Sequence, residues 1–215
     1  MKVYDNLLDS ISFSAQDIEN QIKNYNLRFI QYRNQEVEFG IRFPMFLPSF
    51  YKYVLEKQTI PNQEQYSEIY IRENFSFFRF KNYSVDIIKG LKARLFRTYP
   101  SLIRDLHFCL FLKDSKKFDS VLYNTELDIQ EGIDVLIGLK NQLFAVNLYT
   151  NTRNACSVRN NKEFRHNKST KYNYIELPVD FNGSKKCGNF FLYGEREFSN
   201  VNKIIHSKIN TLLVN

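Results

Sequence analysis

Near Phe118 the apolar residues of this chain change their spacing, and that switch limits the fold more than any other feature. Before it, apolar positions recur every three to four residues, as an amphipathic helix requires. After it come FDSVLYN, GIDVLIG and QLFAVNLYT, short runs rich in β-branched and aromatic residues and separated by polar turns. A helical half joined to a sheet follows. The chain has 215 residues, 43% of them hydrophobic and 25% charged, which is enough to bury a core without disulfides or metals.

The helical half has readable boundaries. Ser14 followed by Asp17 forms a capping-box pattern ahead of a helix near 15–25. FGIRFPMFLPSF, broken by Pro44 and Pro48, predicts a packed turn with a helix starting after Pro48, and residues 49–74 read as helix, short turn, helix. Two amphipathic helices so joined are commoner as plain packing than as a DNA-reading helix-turn-helix. Ser84 is placed to cap a basic helix through Val85, Ile88, Leu91 and Leu95. The residue before a proline disfavours the α region, so this helix is predicted to end near Tyr99-Pro100 and a second to begin at Pro100. In the strand half, Leu139 to Asn141 joins the second and third runs as a hairpin. The polar stretch 152–167 predicts a helix, followed by strands YNYIELPVD and NFFLYG and a closing helix from about Ser199 to Leu213. The expected class is α/β, with a mixed central sheet flanked by helices over residues 81–215 and a helical N-terminal region over 1–80.

Several functions are disfavoured. The longest apolar stretches fall far short of the roughly 18 residues of a membrane span, and the N-terminus has no signal-peptide pattern, so a soluble cytoplasmic protein is expected. Cys109, Cys156 and Cys187, with His107, His166 and His206, match neither a disulfide framework nor zinc spacing, and the thiols are expected to be reduced. A Gly-x-Ser-x-Gly elbow, a phosphate-binding glycine loop and a dinucleotide fingerprint are missing.

Charge is concentrated. Net charge is +7, yet residues 79–104 alone carry seven basic residues against Asp86, and residues 152–172 carry six against Glu163. The rest of the chain is acidic. Two basic segments on such a background suit a polyanion, and the expected partner is double-stranded DNA. Lys89, Lys92 and Arg94 are the candidates in the first segment. In the second, Arg159, Lys162 and His166 share a face if the stretch is helical, with Arg153 and Arg165 near its ends. The aromatics of SFFRFKNYS could stack on bases, although core packing explains most of them.

Metal-dependent phosphodiester cleavage needs carboxylates on neighbouring strands. Asp134 begins the second strand, and the third passes beside it as the hairpin partner. Over roughly residues 84–195 this order resembles the PD-(D/E)XK, or restriction-endonuclease-like, superfamily, in which an acid begins one strand and an acid-x-Lys triplet occupies the next. The resemblance implies Mg²⁺ and DNA cleavage, with Asp134 as metal ligand and catalytic residue. The slot for the triplet holds Asn147-Leu148-Tyr149 instead. An amide is a weak neutral ligand and a phenol carries no positive charge. Lys162 and Glu163, displaced onto the following segment, are the substitute catalytic pair, and Glu126, Asp128 or Glu131 is available as the second carboxylate, with Glu131 paired to Asp134 as the candidate metal site. The leading reading is a DNA-binding protein of a bacterium or mobile element with a catalytically degenerate nuclease-like core. An active Mg²⁺-dependent endonuclease with displaced residues is the alternative, and a noncatalytic scaffold, assembling as a homodimer or with a partner protein, is the second alternative. In the plainest reading Asp134 only caps the turn after Gly132.

Overall fold

The computed structural model describes residues 5–150 and 169–214. The chain divides into two compact units, Ile11–Arg104 with Cys187–Phe190, and Met1–Ser10 with Asp105–Lys186 and Phe191–Asn215. The first is helical; the second holds the main sheet.

In the helical unit, α1 (Ala15–Ile22) starts with the expected capping box, in which Ser14 accepts from the Asp17 backbone and Asp17 accepts from the Ser14 backbone. A π-helical turn, Glu36–Gly40, precedes α2 (Leu47–Lys57), which has Pro48 in its first turn, where a missing N–H costs nothing. α3 (Gln63–Glu73) carries a second capping box, Asn62 with Gln65. SFFRFKNYS supplies most of a short helix, α4 (Phe75–Lys81), which leaves Phe75 and Phe80 exposed and buries Phe78.

The expected break at Pro100 does not occur. One helix of 30 residues, α5 (Val85–Asp114), runs through it. Proline cannot donate to the carbonyl four residues back, so the Phe96 carbonyl loses its helical partner. The buried Gln63 side chain donates to that oxygen at 3.0 Å and takes the place of the missing N–H. The compensation comes from α3, 33 residues earlier in the chain.

In the sheet unit, β1 (Ser120–Leu122), β2 (Val135–Leu139), β3 (Gln142–Thr150) and β4 (Asn173–Val179) lie in that order, antiparallel twice and then parallel. Lys140 and Asn141 both have positive φ, 50° and 62°, as a two-residue hairpin that follows the strand twist requires. Gly138 lets β1 approach, since a Cβ there would lie 2.3 Å from Ser120 Oγ. The stretch between β1 and β2, read from sequence as turn, is instead a helix, α6 (Thr125–Glu131), capped by Asn124. The segment NFFLYG stays out of the main sheet: β5 (Lys185–Cys187) and β6 (Phe190–Leu192) form a separate two-stranded ladder. The closing helix, α7 (Glu195–Val214), packs on β3 and β4. Among the described residues no helix is long and apolar enough to cross a membrane.

Alternation along the strands sorts the sheet into two faces. Ile137, Phe144, Val146, Ile175, Leu177 and Val179 bury one of them. On the other, Leu136 and Ala145 pack against Leu127 of α6. Further along that second face, past the cover of α6, the strands carry polar residues.

Candidate active site

Strand register builds a polar row on the α6 side of the sheet. Val135 pairs with Val146, so one residue further Asp134 stands opposite Asn147, and Asn147 pairs in turn with Glu176 on β4. Paired residues on adjacent strands point to the same face. By the same alternation Asp134, the residue just ahead of β2, falls in line with Asn147 and Glu176, which pair on β3 and β4, with the outer backbones about 10 Å apart.

Each member is held. Gly132, at φ 68°, ends α6 in the left-handed conformation and turns the chain toward β2. Asp134 Oδ2 accepts from the Leu148 backbone N–H at 2.6 Å. The carboxylate thus reaches across to β3. The Asn147 amide can donate to Glu176 Oε1 at 3.4 Å, or, turned over, to the carbonyls of Gly132 at 2.8 Å and Val146 at 3.2 Å. The second orientation makes two bonds instead of one long one and sets the amide oxygen on the Glu176 side. Glu176 is half-buried, with Oε2 shielded from solvent. Tyr149 lies on the same face, two residues past Asn147.

These are hard oxygen donors: two carboxylates and an amide oxygen. Mg²⁺ is bound through one or two carboxylates and keeps several waters, so the set fits that ion. No group of three or more His, Cys, Asp or Glu side chains suited to a metal occurs among the described residues, and Asp134 and Glu131 belong to no such group. Glu131 closes α6 with Oε2 buried. Asp128 accepts from the Tyr123 hydroxyl at 3.3 Å, and Glu126 is exposed in the first turn of α6. The Cys109 thiol donates to the Asp134 carbonyl at 3.8 Å. Burial pushes that thiol well above its usual range, and the Asp105, Asp134 and Asp128 carboxylates push it further, so it stays protonated and is no nucleophile.

The candidate cations of the first basic segment lie in the helical unit and differ among themselves. Lys89 and Lys92 are exposed, and Lys89 Nζ lies 4.8 Å from the Tyr32 ring centre. Arg94 is engaged internally. It donates to the Val37 carbonyl, lies 3.9 Å from the Glu38 carboxylate and sits over the Phe46 ring at 5.3 Å. Arg153, Arg159, Lys162, Glu163, Arg165 and His166 lie outside the described residues, as does the helix expected over 152–167.

A family model described as TaqI restriction endonuclease matches residues 1–186. The chain belongs to the TaqI restriction endonuclease family. Neither the curated proteins nor the solved structures give a match. Membership takes in both compact units, and a restriction-endonuclease-like α/β arrangement agrees with the four-stranded mixed sheet. Sequence reasoning singled out Asp134 and did not consider Glu176, the residue paired with Asn147. The signal was present in YNYIELPVD, where Glu176 is the one acid inside an apolar strand. Assigning it to the row required the parallel register of β3 with β4, which no local pattern encodes.

Proposed function

We propose that the chain is a Mg²⁺-dependent endonuclease acting on double-stranded DNA, with Asp134, Asn147 and Glu176 as the residues that hold the ion. The observation that carries this reading is the pairing of Glu176 with Asn147, which sets a second carboxylate on the same face as Asp134. Family membership supports the substrate class and the reaction. When bound, Mg²⁺ supplies Lewis acidity to a phosphodiester and lowers the pKa of a coordinated water. The residues of the chain do the positioning. The Leu148 N–H fixes one oxygen of Asp134, while the Gly132 and Val146 carbonyls fix the Asn147 amide. Lys162, with Glu163 beside it, is the proposed counter-charge near the reacting phosphate. Arg153, Arg159, Arg165 and His166 are the proposed contacts to backbone phosphates, with Lys89 and Lys92 as further cations of the same kind.

Asn and Tyr in the triplet slot favour a second reading, a DNA-binding protein that has lost catalysis. Plasmid cleavage separates the two. With Mg²⁺ or Mn²⁺ the wild-type chain is expected to nick or linearise plasmid, with no cutting in EDTA and a loss of at least about a hundredfold in Asp134→Asn. Salt-sensitive DNA binding with no cleavage under any divalent ion would establish the second reading instead.

A further inference from the structure

We propose that the helical unit carries a nucleotide pocket, a site that takes one base together with its phosphate. The evidence is a cavity of about 460 Å³ between α5 and the extended segment 27–33, within the size range of small-ligand sites. Its composition is divided by chemistry. Tyr32 supplies an aromatic ring, the Arg28 guanidinium over the buried Phe96 ring supplies a second flat group, and Ile30, Ile88 and Ala93 line the rest. Lys89 and Lys92, one turn apart on α5, supply positive charge, and Glu64 and Glu68 of α3 supply carboxylates.

The walls are fixed before any ligand arrives. Arg97 donates to the Tyr32 carbonyl at 2.5 Å and to the Ile30 carbonyl at 3.3 Å. Gln63 Oε1 accepts from the Arg28 backbone N–H at 2.8 Å. The nearby Asp86 carboxylate pushes the Tyr32 phenol above its usual ionisation range. Arg28 is already used on both sides: it pairs with Glu64 at 2.5 Å and sits 5.4 Å from the Phe96 ring centre. Lys89 and Lys92 are different. Both are exposed and neither is in an ion pair among the described residues, although Lys89 Nζ lies 4.8 Å from the Tyr32 ring centre.

A ligand for this cavity must offer a flat body to the Tyr32 ring and the Arg28 guanidinium, negative charge to two lysines, and donors to the Glu68 carboxylate. A nucleotide does all three. A base has π-faces that stack on aromatics, a phosphate accepts charge-assisted bonds from lysine, and the amino groups of adenine, cytosine or guanine donate to carboxylate. Sugar phosphate alone lacks the flat body, and a nucleoside lacks the charge. The same unit can arrive as a free nucleotide or as a base turned out of a DNA strand, the source that the proposed endonuclease would encounter. The pocket itself does not depend on that reading.

Titration of the full chain with dAMP, dCMP, dGMP and dTMP tests the proposal, with deoxyadenosine, ribose 5-phosphate and phenyl phosphate as partial ligands. The amino-bearing nucleotides are expected to bind at least about tenfold more tightly than any partial ligand. Lys89→Ala combined with Lys92→Ala should lower dAMP affinity to that of deoxyadenosine, and Lys116→Ala combined with Lys117→Ala should not change it. Asp134→Asn should also leave it unchanged, which keeps this result separate from the cleavage test. A duplex with one unopposed adenine competes with dAMP if the source is DNA and fails to compete if it is the free nucleotide. Equal affinity for dAMP and ribose 5-phosphate, or equal loss in the two double-lysine variants, would overturn the proposal.

Discussion

The buried polar side chains of the helical unit and the polar row of the sheet unit are put to opposite uses. In the helical unit the buried ones answer backbone carbonyls. The hydroxyls of Tyr66, Tyr70 and Tyr99 donate to Phe46, Pro44 and Pro61 at 3.1, 2.7 and 2.6 Å, and burial holds all three phenols far above their usual ionisation. Gln63, fully buried, serves both Phe96 and Arg28. Arg94 and Arg97 are bound to the carbonyls of Val37, Ile30 and Tyr32 and to Glu38. In the sheet unit the row Asp134, Asn147 and Glu176 puts two carboxylates on one face. Scaffolding polarity is matched donor to acceptor. The row proposed to hold the ion is acceptor-rich.

Substitutions that break this contrast differ in size. The largest loss of stability is expected for Gln63→Leu, which leaves the Phe96 carbonyl and both Arg28 backbone groups without their partner, each costing about 1–3 kcal/mol. Denaturant unfolding should show a loss of at least about 3 kcal/mol. Pro100→Ala sharpens the point through a double-mutant cycle. Alone it should change little, because Gln63 already occupies the Phe96 carbonyl. Combined with Gln63→Leu it should recover about 1 kcal/mol, since the new N–H can bond that carbonyl. Strict additivity would show that Gln63 is not what lets α5 pass Pro100.

Tyr99→Phe should cost about 1–2 kcal/mol, since it leaves the Pro61 carbonyl unanswered in a buried place. Asn124→Ala, in the sheet unit, should cost about 1 kcal/mol for the lost α6 cap. The row itself is expected to behave in the reverse sense. Glu176→Gln removes one of two like charges while keeping a side chain of the same shape, so the melting temperature without metal should hold or rise. A fall of several degrees would show that Glu176 is scaffolding.

The contrast also explains what could be read from the chain. Local chemistry was legible: the Ser14–Asp17 box, Pro48 at the start of α2, and the hairpin at Lys140-Asn141 all appear where neighbouring residues dictate them. The continuation of α5 through Pro100 was not legible, because the compensating group lies on α3. The helix α6 was hidden for another reason. TELDIQE buries only Leu127, so its seven residues show no apolar period. Asp134 drew attention because it stands just ahead of a strand in a recognisable order, whereas the register that brings Glu176 beside Asn147 is set across a long parallel connection.

The central claim is that Glu176 completes the centre begun by Asp134. Single-turnover plasmid cleavage in Mg²⁺ by wild type, Glu176→Gln and Glu126→Gln tests it most directly, because Glu126 is an exposed carboxylate of the same unit with no place in the row. The account predicts a drop of at least about a hundredfold for Glu176→Gln and a wild-type rate for Glu126→Gln. Cleavage by Glu176→Gln at the wild-type rate would contradict it.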